Sequence, residues 1–162
     1  MKKVLLILVC LFLAFLATGQ TLRKKDFVNT EWFSNNLDSL FYKTDTVKLI
    51  KYSNIAPKNR GFHGYAESEF KFLKHGYYIQ LQFNKAGSMD FWDIKYEMAA
   101  TYYKGATTWT FDNNENVLLI FRFGKLEFKL KPILVKEVEL ESKYADTNSQ
   151  IKTIEVIMLK NK

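Results

Sequence analysis

The run Tyr77-Tyr78-Ile79-Gln80-Leu81-Gln82-Phe83-Asn84-Lys85-Ala86-Gly87-Ser88-Met89-Asp90-Phe91-Trp92-Asp93-Ile94-Lys95-Tyr96 decides the fold class of this chain. Tyr77, Ile79, Leu81 and Phe83 alternate with Gln80 and Gln82, and Trp92, Ile94, Tyr96 and Met98 alternate with Asp93, Lys95 and Glu97. A period of two belongs to a β-strand with one dry and one wet face; a helix repeats near 3.6. Between the two runs, Asn84-Lys85-Ala86-Gly87 supplies residues that tolerate the positive φ of a tight turn, so the segment reads as a hairpin.

The same pattern recurs on both sides. Phe70 and Phe72 alternate with Glu69 and Lys71, and Leu126, Phe128 and Leu130 with Glu127, Lys129 and Lys131. Leu134, Val138 and Leu140 oppose Glu137, Glu139 and Glu141, while Ile154, Val156 and Met158 oppose Glu155. Further strands are expected near residues 46–53, 106–111 and 117–123, separated by turn sequences such as Asp112-Asn113-Asn114-Glu115-Asn116 and Phe123-Gly124-Lys125. About eight or nine meandering strands in a small domain must form a sandwich or close on themselves, and closure removes the exposed edges that aggregate. The expectation is an all-β fold, a single antiparallel up-and-down β-barrel of about eight strands, occupying residues 37–162. Residues 20–36 are expected to form an N-terminal arm or a short helix.

Residues 1–19 read as a signal peptide. Lys2 and Lys3 precede an apolar stretch over residues 4–17, and Ala17-Thr18-Gly19 places small residues where a signal peptidase cuts. The run is shorter than the roughly twenty residues a membrane helix needs, so no stable membrane insertion is expected after cleavage. The single cysteine, Cys10, lies inside this leader, which leaves the remaining chain without thiols for a disulfide framework or a cysteine-ligated metal. The protein is therefore expected to be exported, to the periplasm or outside the cell.

Without the nineteen-residue leader, and so without Lys2 and Lys3, 143 residues remain with 22 basic against 17 acidic groups, a charge near +5. That length suits about one domain. The lysines are spread along the strands and not gathered on one segment, so no nucleic-acid partner is expected. His63 and His75 lie in turns without a second ligand at metal-binding spacing, and no cofactor or metal is expected. No nucleophile elbow or phosphate loop is present. The chain is expected not to be an enzyme; hydrolysis of a sugar or ester would require Asp90 or Glu67 beside a second polar group in a cleft.

The order of Glu31-Trp32, the turn Asn84-Lys85-Ala86-Gly87, Gly105-Ala106-Thr107-Thr108-Trp109-Thr110-Phe111, Val117-Leu118-Leu119-Ile120-Phe121, Glu127-Phe128-Lys129-Leu130 and Val138-Glu139-Leu140 resembles the small exported lipocalin-like domains of Bacteroidetes-type bacteria. The resemblance implies a binding fold without fixed catalytic residues.

On that reading the aromatic residues become candidates for a site. Rings with inward parity, Trp92, Tyr96 and Trp109 among them, either fill the barrel or line a cavity that holds a small apolar or amphipathic ligand. Tyr102 lies just past a strand end, where a barrel mouth would place it. Lys136 shares parity with Leu134, Val138 and Leu140; it points inward toward an anionic partner unless a bulge turns it out. The candidate ligand-binding residues are thus Trp92, Tyr96, Tyr102, Trp109 and Lys136. The alternative is an envelope protein that binds a protein partner through its outer surface, using Phe91, Ile133 and Val135.

Overall fold

The computed structural model describes residues 21–54, 76–95, 99–102, 106–140 and 151–161, a few strand-end residues among them by backbone alone. Helix α1 (Lys24–Phe27) leads into strand β1 (Thr30–Asn35), and a 3₁₀ turn (Leu37–Ser39) into helix α2 (Leu40–Lys43). The remaining elements are β2 (Thr46–Asn54), β3 (Tyr77–Phe83), β4 (Met89–Lys95), β5 (Ala99–Tyr102), β6 (Thr107–Asp112), β7 (Val117–Arg122), β8 (Lys125–Leu140) and β9 (Ile151–Asn161). Residues 20–36 thus contain the expected short helix. They also contain β1, which sits between β2 and β3, so the barrel begins at Thr30 and not at residue 37. Five of the six β1 residues are buried, so this strand carries no alternation from which to read it.

All described strand pairs are antiparallel, in the order β5-β4-β3-β1-β2-β9-β8-β7-β6. The sheet curls into a nearly closed barrel. Its ends meet where Ser88 bridges Thr108 and the Trp109 N–H donates to the Gly87 carbonyl at 2.7 Å. Strands β3 to β5 and β6 to β9 run as meanders, and β1 lies on the far side of β2 from β9. The turn chemistry is as expected. Gly87, Asn116, Phe123 and Gly124 all have positive φ, and the Phe123-Gly124 pair gives the two positive-φ residues of a primed hairpin turn.

The face that each strand turns inward differs from the sequence pattern in two places. Leu81 is opposite Phe91 and Gln80 is opposite Trp92, so once Ile79, Leu81 and Phe83 point into the core, Met89, Phe91 and Asp93 must follow them. Trp92 and Ile94 therefore lie on the outer face, in a second cluster with Phe33, Tyr78 and Tyr52. Alternation misleads here because the outer face is buried too: Glu31, Gln80 and Gln82 are within 1% of fully covered, and the Glu31 carboxylate accepts hydrogen bonds from both amides. In β8 the register shifts between Pro132 and Leu134, a bulge that exchanges the two faces beyond it. Phe128 and Leu130 face the core before it, and Val135 packs on the core after it.

Rings close one end of the barrel. Phe27, delivered by α1 and fully buried, lies 5.3 Å from each of Trp32, Phe83 and Phe111 and 6.2 Å from Trp109. Such offset and edge contacts add to the hydrophobic gain of burying each ring. Replacing Phe27 by Ala is expected to cost about 3–5 kcal/mol of stability in urea denaturation, as for other buried aromatic truncations. Phe123→Ala, at a hairpin tip where the ring is 74% exposed, should stay within about 0.5 kcal/mol of the parent. Equal losses at the two positions would refute Phe27 as the centre of the core.

Candidate functional site

Of the five expected ligand-binding residues, Trp92, Trp109 and Lys136, whose side chains are described, do not converge. Trp109 is buried in the core, packs 5.1 Å from Phe83, and donates its indole N–H between the Asn84 and Ser88 carbonyls, at 3.1 Å each. It is a packed core residue that pins the barrel seam. Trp92 is half-buried on the outer face. Tyr102 is its register partner across β4 and β5. Tyr96 lies outside the described residues. Of the two orientations open to Lys136, the bulge selects the outward one, where it pairs with the buried Glu155 at 3.0 Å while its own side chain stays 51% exposed.

Of the outer-surface residues, Ile133 is exposed at the bulge, but Phe91 is fully buried in the core and Val135 is partly buried against it. Asp90 is half-buried opposite Gln82, and Glu67, His63 and His75 lie outside the described residues. No group of three or more potential metal ligands occurs among the described residues, nor does a helix long and apolar enough to cross a membrane.

The concave feature that does form is a split in the barrel wall. β1 pairs with β2 only as far as Phe33 opposite Ile50; β1 then continues to Asn35 along β3, while β2 continues to Thr46 along β9. The strands separate between Ser34-Asn35 and residues 46–49. A cleft of about 370 Å³ opens there, lined by Ser34, Asn35, Leu40, Phe41, Val47 and Ile157 among others. It joins an inward-facing residue, Val47, to outward-facing ones, Lys48, Ile50 and Ile157, so it is a lateral portal through the wall. Its size is in the range of small-ligand sites.

Helix α2 roofs the portal and closes that end of the barrel. Phe41 points into the core, 5.3 Å from Phe128 and 6.0 Å from Phe91. Its backbone N–H donates to Asn36 Oδ1 at 3.1 Å, and Asn36 Nδ2 donates to Asp93 Oδ1 at 2.8 Å. Tyr42 donates its hydroxyl to Asp93 Oδ2 at 3.0 Å, and Lys95 approaches the same oxygen at 3.4 Å. Inward parity would leave Asp93 a buried, uncompensated carboxylate; these partners compensate it. On the far side of α2 lies a second cleft of about 220 Å³, lined by Tyr42, Thr44, Asp45, Glu127, Phe128 and Lys160 among others. Sequence periodicity missed Asn36, Phe41 and Asp93 as site residues, since α2 is a single turn and Asp93 read as a solvent-facing residue.

Two carboxylates near this end and on the adjacent outer wall titrate abnormally. Burial pushes Glu127 above the usual carboxylate range, and Arg122, whose Nε lies 2.7 Å from it, offsets this only in part. Arg122 also sits 5.2 Å over the Phe91 ring. For Glu155, burial would raise the carboxyl, but the bond from Lys136 and the nearby Lys48, at 3.3 Å, outweigh it and hold the group below its usual range.

No protein-family model matches the chain, and neither does a curated protein or a solved structure.

The two shifts act in opposite senses on acid stability. A carboxyl lowered by folding contributes stability above its unfolded pKa and loses it as pH falls through the folded value, which is Glu155. A raised carboxyl contributes below its unfolded pKa and loses that contribution as pH rises through the folded value, which is Glu127. Between pH 7 and pH 3, Glu155→Gln should therefore lose less stability than the parent and Glu127→Gln more, measured as the shift of the urea midpoint. The reverse ranking would refute the assignment.

Proposed function

We propose that this chain is an exported, lipocalin-like binding protein that takes one small apolar or amphipathic molecule at the lateral portal under α2, and that it does not transform it. The observation that carries this reading is the wall split itself. A closed sheet gains nothing by leaving the end of β1 and the start of β2 unpaired with each other, and the gap is lined by Leu40, Phe41, Val47, Ile50 and Ile157. The ring-filled interior argues for a site at the rim and not at the barrel centre, which moves the expected ligand away from Trp109. Asp90, the described carboxylate that hydrolysis would need in a cleft, lies on the outer wall opposite Gln82 and away from the portal lining.

The outer surface offers a second reading, in which β8 recruits an envelope protein. Over residues 131–140, β8 pairs with β9 but has no described strand on its other side, and Ile133 and Leu134 are exposed along it. Open strand edges of this kind accept an added strand.

The two readings separate by experiment. A ligand that binds only the folded state raises stability by RT ln(1 + [L]/Kd), about 2.7 kcal/mol at a hundredfold excess over Kd. Dodecanol titrated into the protein should raise the melting temperature saturably, and Leu40→Glu at the portal should weaken this at least tenfold while Leu126→Glu, exposed on β8, leaves it unchanged. No stabilisation up to the solubility limit would refute the portal as a ligand site. Loss of a captured envelope partner on Ile133→Asp would instead support the second reading.

A further inference from the structure

Resting on the portal reading, we infer that the Phe41 ring occupies the ligand's own place in the ligand-free protein, and that the ligand is an amphipathic carboxylate whose chain displaces the ring and whose head group is taken by Lys160.

Phe41 differs from the other buried rings of the barrel's strands in its support. It is held by a four-residue helix, and its backbone ties are polar and exchangeable: the Phe41 N–H to Asn36 Oδ1, and the Phe41 carbonyl to Lys160 Nζ at 2.5 Å. The neighbouring Tyr42 adds its hydroxyl bond to Asp93. Water can replace each of these partners, and a ligand carboxylate can replace the acceptors Asn36 Oδ1 and the Phe41 carbonyl, whereas the strand-borne rings are fixed by the sheet ladder.

The chain that leads into α2 is also strained in a way that suits a hinge. Asp38 and Ser39 are consecutive non-glycine residues in the left-handed region, with φ of 55° and 61°. Such conformations persist only where the surroundings impose them, and they concentrate at clamps and switches.

The space on both sides of α2 belongs to one path. The portal and the second cleft both reach Thr44, and between them lies Phe41, which lines the portal and packs on Phe128 of the second cleft. Withdrawing the ring joins the two into a single channel beneath α2, apolar at the portal and polar at the second cleft. Its outer end carries the charge. Lys160 lines the second cleft, with its ammonium 5.8 Å over the Phe41 ring and bonded to the Phe41 carbonyl. Once α2 lifts, that bond breaks, and a carboxylate on the entering chain restores it as a charge-assisted one. Lys43 adds positive charge at the same cleft, and Lys129 there is paired with Glu115 at 3.1 Å; Asp45 and Glu127 are the acidic groups that line the cleft, and Glu127 is held by Arg122.

Calorimetric titration with dodecanoate and with dodecanol tests the assignment on four proteins, the parent, Phe41→Ala, Phe41→Leu and Lys160→Met. Removing the competing ring should tighten dodecanoate at least tenfold in Phe41→Ala, with Phe41→Leu between it and the parent. Lys160→Met should weaken dodecanoate at least tenfold and leave dodecanol within twofold. Amide exchange adds a readout that does not depend on folding of the alanine variant: in the parent, dodecanoate should speed exchange at the Phe41 and Thr44 amides. If the parent binds but both Phe41 variants bind no tighter and exchange is unchanged, the ring is not in the ligand's place, and the portal reading survives without it. Equal losses for both ligands in Lys160→Met overturn the head-group role. No binding by any of the four overturns the portal reading itself.

Discussion

The register between β3 and β4 is the constraint on which the rest of this structure depends. With Leu81 set opposite Phe91, the inward face of β4 carries Met89, Phe91 and Asp93, and everything at that end of the barrel follows. Phe91 becomes a floor for Phe41 and Phe128, and Asp93 becomes the acceptor that holds Asn36 and Tyr42. Shifting the pairing by one residue would put Trp92 and Ile94 inside and leave no carboxylate to anchor α2. The anchoring of the candidate lid is thus a consequence of strand pairing made fifty residues away in sequence.

A filled barrel places its binding chemistry at a rim or a seam. Here the two ends are sealed by residues from short helices: Phe27 from α1 and Phe41 from α2. The first is locked among four aromatic rings. The second sits beside the gap where β1 and β2 part from each other, and its helix is tied by side-chain hydrogen bonds. The same architectural device, a one-turn helix carrying a phenylalanine into the core, therefore occurs twice, once held by rings and once by side-chain hydrogen bonds. The difference lies in what surrounds the ring.

Strand positions and turns were legible from alternation and from Asn and Gly placement, because those signals are local. The site was much less so. The orientation of Lys136 stayed open in the sequence because one extra residue at Ile133 reverses every face beyond it, and hydrophobicity in Pro132-Ile133-Leu134 does not decide whether that bulge forms. Trp92 failed because two dry faces leave no contrast for periodicity to read, the second dry face being made with Tyr78 on the hairpin partner and Phe33 on a strand distant in sequence. Phe41 was invisible as a plug since a single helical turn has no period.

By itself, the sequence determined that this chain builds antiparallel strands joined by tight turns, since backbone sterics and the two-residue pleat act within a few neighbours. It determined that aromatic rings would supply the core, since so many fall at alternating positions. Only the tertiary structure decided which face of each strand looks inward, that β1 intervenes between β2 and β3, and that the wall parts beyond Phe33 and Ile50. Those are choices among pairings of distant segments. Hydrophobic alternation is unchanged when a strand's two faces are exchanged, so the choice falls to register, to the bulge in β8 and to the partners that a buried carboxylate such as Asp93 must find.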